Sequence, residues 1–190
     1  MVRNAAGFKV RYLFQALVIL LIVSCDQFLK FIIRSNMAYG QSIPAEGGFV
    51  RVLYTLNDGV AFSMLQGTGT VLIVIQAVMV LVISIALVLL NLKRISPVPL
   101  YCLSLMLGGG IGNLIDRIMT GKVTDFIAVG DFPVFNLADS ALTVGCFIMI
   151  FWLIVSEISS SKGQAGHSEP EAGLTPESGK GPEEKTAEGL

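Results

Sequence analysis

The sequence is poor in charged residues and nearly free of histidine. Only 14% of its 190 residues are Asp, Glu, Lys or Arg, and the single histidine, His167, lies in a polar stretch near the C-terminus. Its position argues against Ser-His and Cys-His catalytic pairs and against a histidine-ligated zinc site. The sequence has no HExxH or CxxC motif, and Cys25, Cys102 and Cys146 are isolated in apolar stretches. We interpret these cysteines as small core residues.

Apolar residues, in contrast, are abundant. They make up 53% of the sequence, and the mean hydropathy is +0.73. A soluble domain of this length could not bury so much apolar surface, so the composition predicts a membrane protein. The charges are unevenly divided: residues 1–156 carry ten Lys or Arg and seven Asp or Glu, whereas residues 157–190 carry three and seven. This second segment is rich in Gly, Pro, Glu and Ser, and we predict a disordered tail.

Four apolar runs are each long enough for a membrane-spanning helix, which needs about 20 residues. They are Tyr12–Ile33, Thr70–Leu92, Pro97–Ile115 and Leu137–Val155. The sequence therefore predicts an all-α integral membrane protein. Its four transmembrane helices form a domain over residues 12–156, between an N-terminal segment (1–11) and the tail.

The distribution of Lys and Arg predicts how the helices are oriented. Positive residues favour the cytoplasmic side of a membrane. One side of the predicted bundle carries Arg3, Lys9, Arg11, Lys93 and Arg94. The other side carries Arg34, Arg51, Arg117 and Lys122. This modest excess predicts a cytoplasmic N-terminus, and four crossings then return the C-terminal tail to the cytoplasm.

The first apolar run permits a second interpretation. Basic residues, an apolar stretch and Ser24-Cys25 form the outline of a cleaved lipoprotein signal peptide. The chain becomes apolar again after Cys25, however, where a secreted product would continue into a polar region. Asp26 and Lys30 stand at positions i and i+4, so they can share one helix face and partly neutralise each other. We therefore expect the first helix to be retained.

Polar residues within the apolar runs gather at one end of the predicted bundle. They are Asp26 and Lys30 in the first helix, Asn113, Asp116 and Arg117 at the end of the third, and Asn136 and Asp139 at the start of the fourth. The connection that carries Asp125 lies on the same side. Because a charge inside a bilayer is costly and usually faces a partner, water or substrate, we expect a polar cavity open to the outer leaflet.

The connection between the first two helices, residues 34–69, is predicted to form a small extracytoplasmic platform that contains β-structure. Phe49–Leu56 has the pattern of a short strand leading into a turn. Ala61–Leu65 is apolar enough to lie at the membrane interface. Together these segments could cover the predicted cavity.

Carboxylates are the catalytic side chains that remain. Two carboxylates that share one proton can activate water and then protonate a leaving amine, because like charges at close range push their pKa values apart. A Ser-Lys pair with Lys30 is conceivable, but Asp26 one turn away would keep the lysine charged and a poor base. Asp139 could alternatively cap the fourth helix, with Asn136 at the N-cap and Asp139 three residues later.

Five short motifs in order along the chain resemble the lipoprotein signal peptidase (type II signal peptidase) family of membrane aspartyl proteases. They are DQFLK (26–30), NDGVAF (57–62), GGGIGNLIDR (108–117), VTDF (123–126) and FNLADSALTVG (135–145). The resemblance extends over residues 12–156. The chain departs from the family pattern at residues 57–61, where it has Asn-Asp-Gly-Val-Ala and the family commonly has Asn-Thr-Gly-Ala-Ala.

The resemblance implies that Asp125 and Asp139 are the catalytic pair. Neighbouring residues favour the same choice, because Arg117 follows Asp116 and its charge would keep that acid ionised. The residues expected to bind substrate or to support the site are Asp26, Lys30, Asn57, Gly59, Asn113, Asp116, Arg117, Asn136 and Ala138.

The function that the resemblance implies is removal of signal peptides from diacylglyceryl-modified prolipoproteins, by cleavage before the lipidated cysteine. It implies a monomer in the bacterial inner membrane, in contact with lipid, with its active site at the extracytoplasmic face and with no metal, cofactor or nucleic acid. The alternatives are a small proton- or cation-coupled transporter, whose buried acids would mark a pathway, and a non-catalytic assembly subunit. Transporters often have repeated halves and a site near the midplane; this sequence has no repeat, and its acids crowd one face.

Overall fold

The computed structural model describes residues 5–45, 47–59, 69–93 and 95–165. The described residues up to Val155 form one compact unit, and Ser156–Ala165, the last stretch of a helix, belong to a second. Two predicted features lie outside the described residues: the apolar segment Ala61–Leu65 and most of the tail.

Four long helices confirm the predicted fold class. They are α1 (Ala5–Asn36), α2 (Gly69–Leu92), α3 (Pro97–Thr120) and α4 (Leu137–Ala165). Each contains a span of at least 23 residues that is apolar enough to cross a membrane. The α2 helix matches its predicted bounds to within one residue. The other helices are longer than predicted: α1 begins before Tyr12, α3 continues past Ile115, and α4 passes through the domain boundary drawn at residue 156.

The ends of α3 follow from local chemistry. Pro97 stands at the start of the first turn, where a missing N–H costs no helical hydrogen bond. At the other end, Gly121 adopts a left-handed conformation (φ 76°) and donates its N–H to the Arg117 carbonyl at 3.0 Å. Glycine adopts this conformation without steric penalty, which is why it commonly terminates helices. The α3 helix therefore extends one turn beyond Asp116.

A three-stranded antiparallel sheet lies at one end of the helices, in the order β1 (Ser42–Ile43), β2 (Val50–Asn57), β3 (Val123–Val129). The β2 strand confirms the predicted strand, displaced by one residue. The β3 strand occupies a segment that the sequence analysis treated as a loop. In the β2–β3 register Asn57 pairs with Val123, two positions from Asp125. Because side chains alternate along a strand, Asn57 and Asp125 project from the same face of the sheet.

The chain enters and leaves this sheet from one end of the bundle, the sheet end. Helices α1 and α3 end there, and α2 and α4 begin there. Strands β1 and β2 lie between α1 and α2 in the sequence, and β3 lies between α3 and α4. The polar residues at these four helix ends are consequently brought next to β3.

Glycines let α3 approach its neighbours closely. A Cβ atom added to Gly112 would lie 2.7 Å from the Asp26 Oδ2 atom of α1, and one added to Gly109 would overlap the Ala138 carbonyl of α4. Side chains at these positions would therefore push the helices apart. More than half of the α3 span is buried, compared with less than a fifth of each other span. The α3 helix is thus the centre of the bundle.

The apolar residues of the helices form a small buried core and a large exposed surface. A core cluster of α2 and α3 residues consists of Ile83, Leu87, Leu100, Leu103 and Leu107. Large apolar side chains elsewhere remain exposed, among them Leu17, Phe31, Val78 and Phe151. Such a surface is costly in water but suits hydrocarbon, where the backbone polar groups are already satisfied within the helices.

Candidate active site

Four charged side chains form a buried cluster between α1 and α3 at the sheet end. This charged cluster consists of Asp26, Lys30, Arg34 and Asp116. The Lys30 Nζ atom lies 2.8 Å from Asp26 Oδ2 and 3.4 Å from Asp116 Oδ2, and all three side chains are fully buried. The Arg34 Nη1 atom lies 3.2 Å from Asp116 Oδ1. The predicted Asp26–Lys30 pair is confirmed, and two positive charges balance two negative charges.

The partners of Asp116 differ from the prediction. Besides the two cations of the charged cluster, its carboxylate accepts hydrogen bonds from Gln27 Nε2 at 3.2 Å and from the Thr124 N–H at 2.9 Å. Adjacency in the sequence predicted Arg117 as the partner of Asp116, and this prediction is wrong. Successive helical side chains point about 100° apart, so Arg117 faces away from the cluster, where it bonds to a residue of α2.

Asp125 lies in the middle of β3 and is held by two asparagine amides. Its Oδ1 atom accepts a hydrogen bond from Asn136 Nδ2 at 2.7 Å, and its Oδ2 atom accepts one from Asn57 Nδ2 at 3.0 Å. Only 1% of the residue is exposed. In the described part of the chain, no Lys or Arg forms an ion pair with it. Asp125 is therefore a buried carboxylate whose hydrogen-bond partners are neutral.

Asp139 lies in the first turn of α4 and is likewise bound by amides. Its N–H donates to Asn136 Oδ1 at 2.9 Å, and its Oδ2 atom accepts the Asn136 N–H at 3.2 Å. These reciprocal bonds form the predicted cap of the helix. Its Oδ1 atom accepts a third hydrogen bond, from Asn113 Nδ2 at 2.7 Å. We call Asp125 and Asp139 the amide-bonded pair, and Asn136 contacts both members.

Asn113 and Asn136 connect the amide-bonded pair with the charged cluster. The Asn113 Oδ1 atom accepts hydrogen bonds from Lys30 Nζ at 2.9 Å and from Asn136 Nδ2 at 3.1 Å. Because a lysine can only donate, the Asn113 oxygen must face Lys30 and its Nδ2 must face Asp139. The charged cluster thereby fixes the orientation of the amides that hold the acids.

Two of the predicted supporting residues contribute through their backbones. The Ala138 N–H, at the start of α4, donates to Asp26 Oδ1 at 3.0 Å. The Gly59 N–H donates to Asn57 Oδ1 at 2.8 Å, with Gly59 in a left-handed conformation (φ 78°). This bond leaves the Asn57 Nδ2 group directed at Asp125. Both backbone groups therefore orient parts of the acid network.

The environment of Asp125 suits it to proton exchange. Burial raises the pKa of Asp125 from the ordinary 3.8 to about 6, and the negative charge of Asp139 contributes to the rise. Hydrogen bonds from the asparagine amides oppose this effect. A carboxyl group in this range can hold a proton at near-neutral pH and release it during a reaction. Within the described residues, no group of three or more His, Cys, Asp or Glu side chains could hold a metal ion.

A cavity of about 250 Å³ lies beside Asp139, between α2, α3 and α4. Its polar lining consists of Gln76, Asn113, Arg117 and Asp139, and its apolar lining of Leu72, Ile75, Met79 and Leu142. The Arg117 guanidinium donates a hydrogen bond to Gln76 Oε1. Asp139 therefore contacts the acid network on one side and a largely apolar cavity on the other.

Sequence reasoning missed four polar residues of this region: Gln27, Arg34, Gln76 and Thr124. A signal existed for the two in α1, because Asp26, Gln27, Lys30 and Arg34 follow the spacing of one helix face. Gln76 interrupts a run without charges, which is itself a signal inside a membrane helix. The Thr124 N–H contributes through the geometry of β3, which the sequence analysis did not predict.

Comparison with known proteins places this chain in a family. Residues 18–155 match the family model described as signal peptidase (SPase) II. The chain belongs to this family. It is 42% identical over 149 residues to a lipoprotein signal peptidase of Dehalococcoides mccartyi, covering 75% of this chain and 90% of that protein. It is 37% identical to a lipoprotein signal peptidase of Moorella thermoacetica, covering 73% of this chain and 91% of that protein.

Solved structures agree with the family assignment. A structure described as a bacterial membrane enzyme superposes on this chain with a TM-score of 0.64 and 35% sequence identity, covering 73% of this chain and 91% of that one. Family membership and four apolar helices make the protein a multi-pass bacterial membrane protein and a protease. The predicted family resemblance is confirmed, and the transporter alternative receives no support.

Proposed function

We propose that the protein is an aspartic endopeptidase that removes the signal peptide from diacylglyceryl-modified prolipoproteins, cutting before the lipidated cysteine. Asp125 and Asp139 are its catalytic pair. The observation that carries this proposal is the contrast in partners. Asp26 and Asp116 are neutralised by Lys30 and Arg34, whereas the amide-bonded pair is held by neutral donors and one of its members has a pKa of about 6.

The charge balance of the region supports a pair that shares one proton. The charged cluster is neutral by itself. The other ionisable side chains of this buried region are Asp125, Asp139 and Arg117. If the pair holds one proton, its single negative charge balances the Arg117 guanidinium, and the buried region as a whole is neutral. Two ionised carboxylates would leave an excess negative charge beside an apolar cavity, which is unfavourable. We assign the shared proton mainly to Asp125, the more deeply buried acid.

In the proposed reaction a water molecule attacks the carbonyl carbon of the scissile peptide bond. The ionised carboxylate of Asp139 takes a proton from the water, and Asp125 donates its proton to the carbonyl oxygen. The tetrahedral intermediate then breaks at the C–N bond, and the proton held by Asp139 passes to the leaving nitrogen. As the carbonyl group re-forms, one hydroxyl of the intermediate returns its proton to Asp125. The products are the carboxyl end of the signal peptide and the amino group of the lipidated cysteine, and the pair again holds one proton.

The amides have a defined role in this scheme. Asn57, Asn113 and Asn136 keep the two carboxyl groups in position through both proton transfers. Their N–H groups bind a neutral or an ionised carboxyl, so no partner is left without a hydrogen bond when the proton moves. The cavity beside Asp139 is the proposed binding site for the substrate segment next to the scissile bond, with Arg117 available to a carbonyl oxygen.

The proposed orientation places the sheet end at the extracytoplasmic face and both termini in the cytoplasm. The Lys and Arg distribution supports it, and so does the substrate. A substrate anchored by acyl chains in the outer leaflet would present its scissile bond at the depth where the acids gather. The protein is proposed to act in the inner membrane as a monomer in contact with lipid.

The direct test of the proposed function is cleavage by the purified protein. A synthetic diacylglyceryl-modified lipopeptide should be cut once, and mass spectrometry should identify the lipidated cysteine as the new N-terminus. The same peptide without the diacylglyceryl group is the control and should be cut far more slowly. Addition of a chelator should leave the rate unchanged. A cut at any other bond, or loss of activity with the chelator, would contradict the proposal.

Reporter fusions test the orientation separately. Fusions at Gly47 and Gly130, on either side of the sheet, should report the extracytoplasmic side, and a fusion at Lys93 should report the cytoplasm. A cytoplasmic signal from Gly47 would contradict the proposed position of the site.

A further inference from the structure

Gln76 is an exception in the most apolar helix of the protein. The α2 span has a mean hydropathy of 3.1, the highest of the four. Gln76 lies in the middle of its first half and is only 6% exposed. Inside a membrane helix, a buried amide without partners would be costly, so such a residue is expected to serve a purpose. Both ends of the Gln76 amide are in fact occupied.

The two partners of Gln76 lie on α3. Its Nε2 group donates to the Gly110 carbonyl at 3.0 Å, and its Oε1 atom accepts from the Arg117 guanidinium. Helical carbonyls point toward the C-terminus and side chains lean toward the N-terminus. The Gly110 carbonyl and the Arg117 side chain therefore converge from opposite directions. One glutamine amide can bond to both, although they are seven residues apart.

Close approach of α2 and α3 makes this arrangement possible. A Cβ atom added to Gly110 would lie 3.1 Å from Val80 Cγ2 of α2, one turn from Gln76. The glycine therefore brings the carbonyl within reach of the amide. Because donation to this carbonyl fixes which end of the amide is oxygen, the oxygen faces Arg117.

We infer that Gln76 is a positioning residue, which holds the Arg117 guanidinium at the wall of the cavity so that it can bind a carbonyl oxygen of the substrate. Gln76, Arg117 and Asp139 all line the same cavity. Among the described residues, Gln76 is the hydrogen-bond partner of the Arg117 guanidinium. A long, flexible side chain held at one point loses less entropy when it binds its ligand. This inference rests on the proposed function and adds α2 to the elements that build the site.

The test compares Gln76→Leu with two variants of the purified full-length protein. Q76L has a similar size and removes both hydrogen bonds, so KM for the diacylglyceryl lipopeptide should rise about tenfold or more, with kcat changed less. Q76E keeps an oxygen for Arg117 and should recover most of the lost affinity. Ser84→Ala is the matched control, because the Ser84 hydroxyl bonds within α2 to the Val80 carbonyl. It should leave both kinetic constants unchanged.

A double-mutant cycle separates positioning from simple helix packing. If Gln76 acts through Arg117, adding Q76L to Arg117→Gln should reduce kcat/KM by less than about threefold further. Full additivity, or a wild-type KM in Q76L, would overturn the inference. Two other results would contradict the proposed function itself. In one, the wild-type protein does not cut the lipopeptide, and in the other Asp139→Asn still cuts it. The Gln76 variants are therefore judged against an active wild-type protein.

Discussion

The charged cluster and the amide-bonded pair are adjacent, yet their carboxylates have different partners, which are cations in the cluster and neutral amides in the pair. In the charged cluster, Asp116 lies within 3.4 Å of two cations and accepts a backbone N–H. In the amide-bonded pair, Asp125 has two asparagine amides. Cationic partners stabilise the charge of a carboxylate, whereas neutral amide partners can bind a carboxyl group with or without its proton. Burial alone therefore does not identify a catalytic acid. The hydrogen-bond and ionic partners of a buried carboxyl group determine whether it is suited to proton exchange.

The two regions also depend on each other. Lys30 belongs to the charged cluster and orients Asn113, which in turn binds Asp139. Asp26 belongs to the same cluster and accepts the Ala138 N–H at the start of the helix that carries Asp139. The charged cluster is therefore a support on which the reactive pair is built, and variants of the two regions should fail in different ways.

The largest expected effect is on catalysis by the amide-bonded pair. Asp125→Asn and Asp139→Asn should each lower kcat by more than about a thousandfold, because an amide cannot exchange the shared proton. The double variant should be no worse than either single variant, since the two acids act as one unit. Kinetics on the lipopeptide and thermal unfolding in detergent measure these outcomes. Substantial turnover by folded D125N would remove Asp125 from the pair.

The charged cluster should respond in stability. Asp116→Asn removes a buried carboxylate that pairs with the buried Lys30 and the partly exposed Arg34. Removal of one partner from a buried ion pair typically costs about 3–5 kcal/mol. The variant should therefore have a much lower unfolding temperature and yield. Asp131→Asn, in the exposed turn after β3, is the matched control and should unfold like the wild type. A fully stable but inactive D116N would reverse the roles assigned to the two regions.

The dependence of stability on pH should separate the regions again. The pKa of Asp125 is raised from 3.8 to about 6 in the folded protein, so folding favours its protonated form. Its contribution to stability is then fully present below pH 3.8 and is lost as the pH rises through 6. The free energy of unfolding of the wild type, minus that of D125N, should therefore rise as the pH falls from 7 to 4, by about 3 kcal/mol. A difference that does not change over this range would contradict the shifted pKa.

A smaller effect is expected where β2 contacts the pair. Asn57→Ala removes one donor from Asp125, so kcat should fall about tenfold. The pKa of Asp125 should rise further, because that hydrogen bond favours the ionised form. The decline of kcat/KM at alkaline pH should therefore move to higher pH. Asp58→Asn is the matched control, since its contact with Lys122, at 4.0 Å, is exposed and worth little. An unshifted profile for N57A would contradict the role of this amide.

Much of this organisation could be predicted from the sequence, and the gaps have physical causes. Four apolar runs predicted the helices, and the spacing of Asp26 and Lys30 predicted their ion pair. The β3 strand was missed although Val123–Val129 is rich in β-branched residues between two glycines. The charged Asp125 in the middle of this segment obscures the strand pattern, because aspartate is depleted in strands.

The partners of Asp116 show a different limit of sequence reasoning. Adjacency in the sequence suggested Arg117, but neighbouring helical residues diverge in direction. Its cationic partners, Lys30 and Arg34, both lie in α1, and Arg34 is 82 positions away in the sequence. Gln76 and Thr124 likewise acquire their roles through contacts across the bundle. Such contacts follow from how helices and strands pack, and a single sequence carries little record of them.

The most direct test of a shared proton held by Asp125 is infrared spectroscopy of the carboxyl groups across pH 4–8. The wild-type protein should have a protonated carboxyl group that loses its proton near pH 6, as the environment of Asp125 requires. The signal should be absent from D125N and unchanged in D131N. A signal that persists in D125N, or the absence of any carboxyl group that titrates between pH 5 and 7, would contradict the assignment of this proton to Asp125.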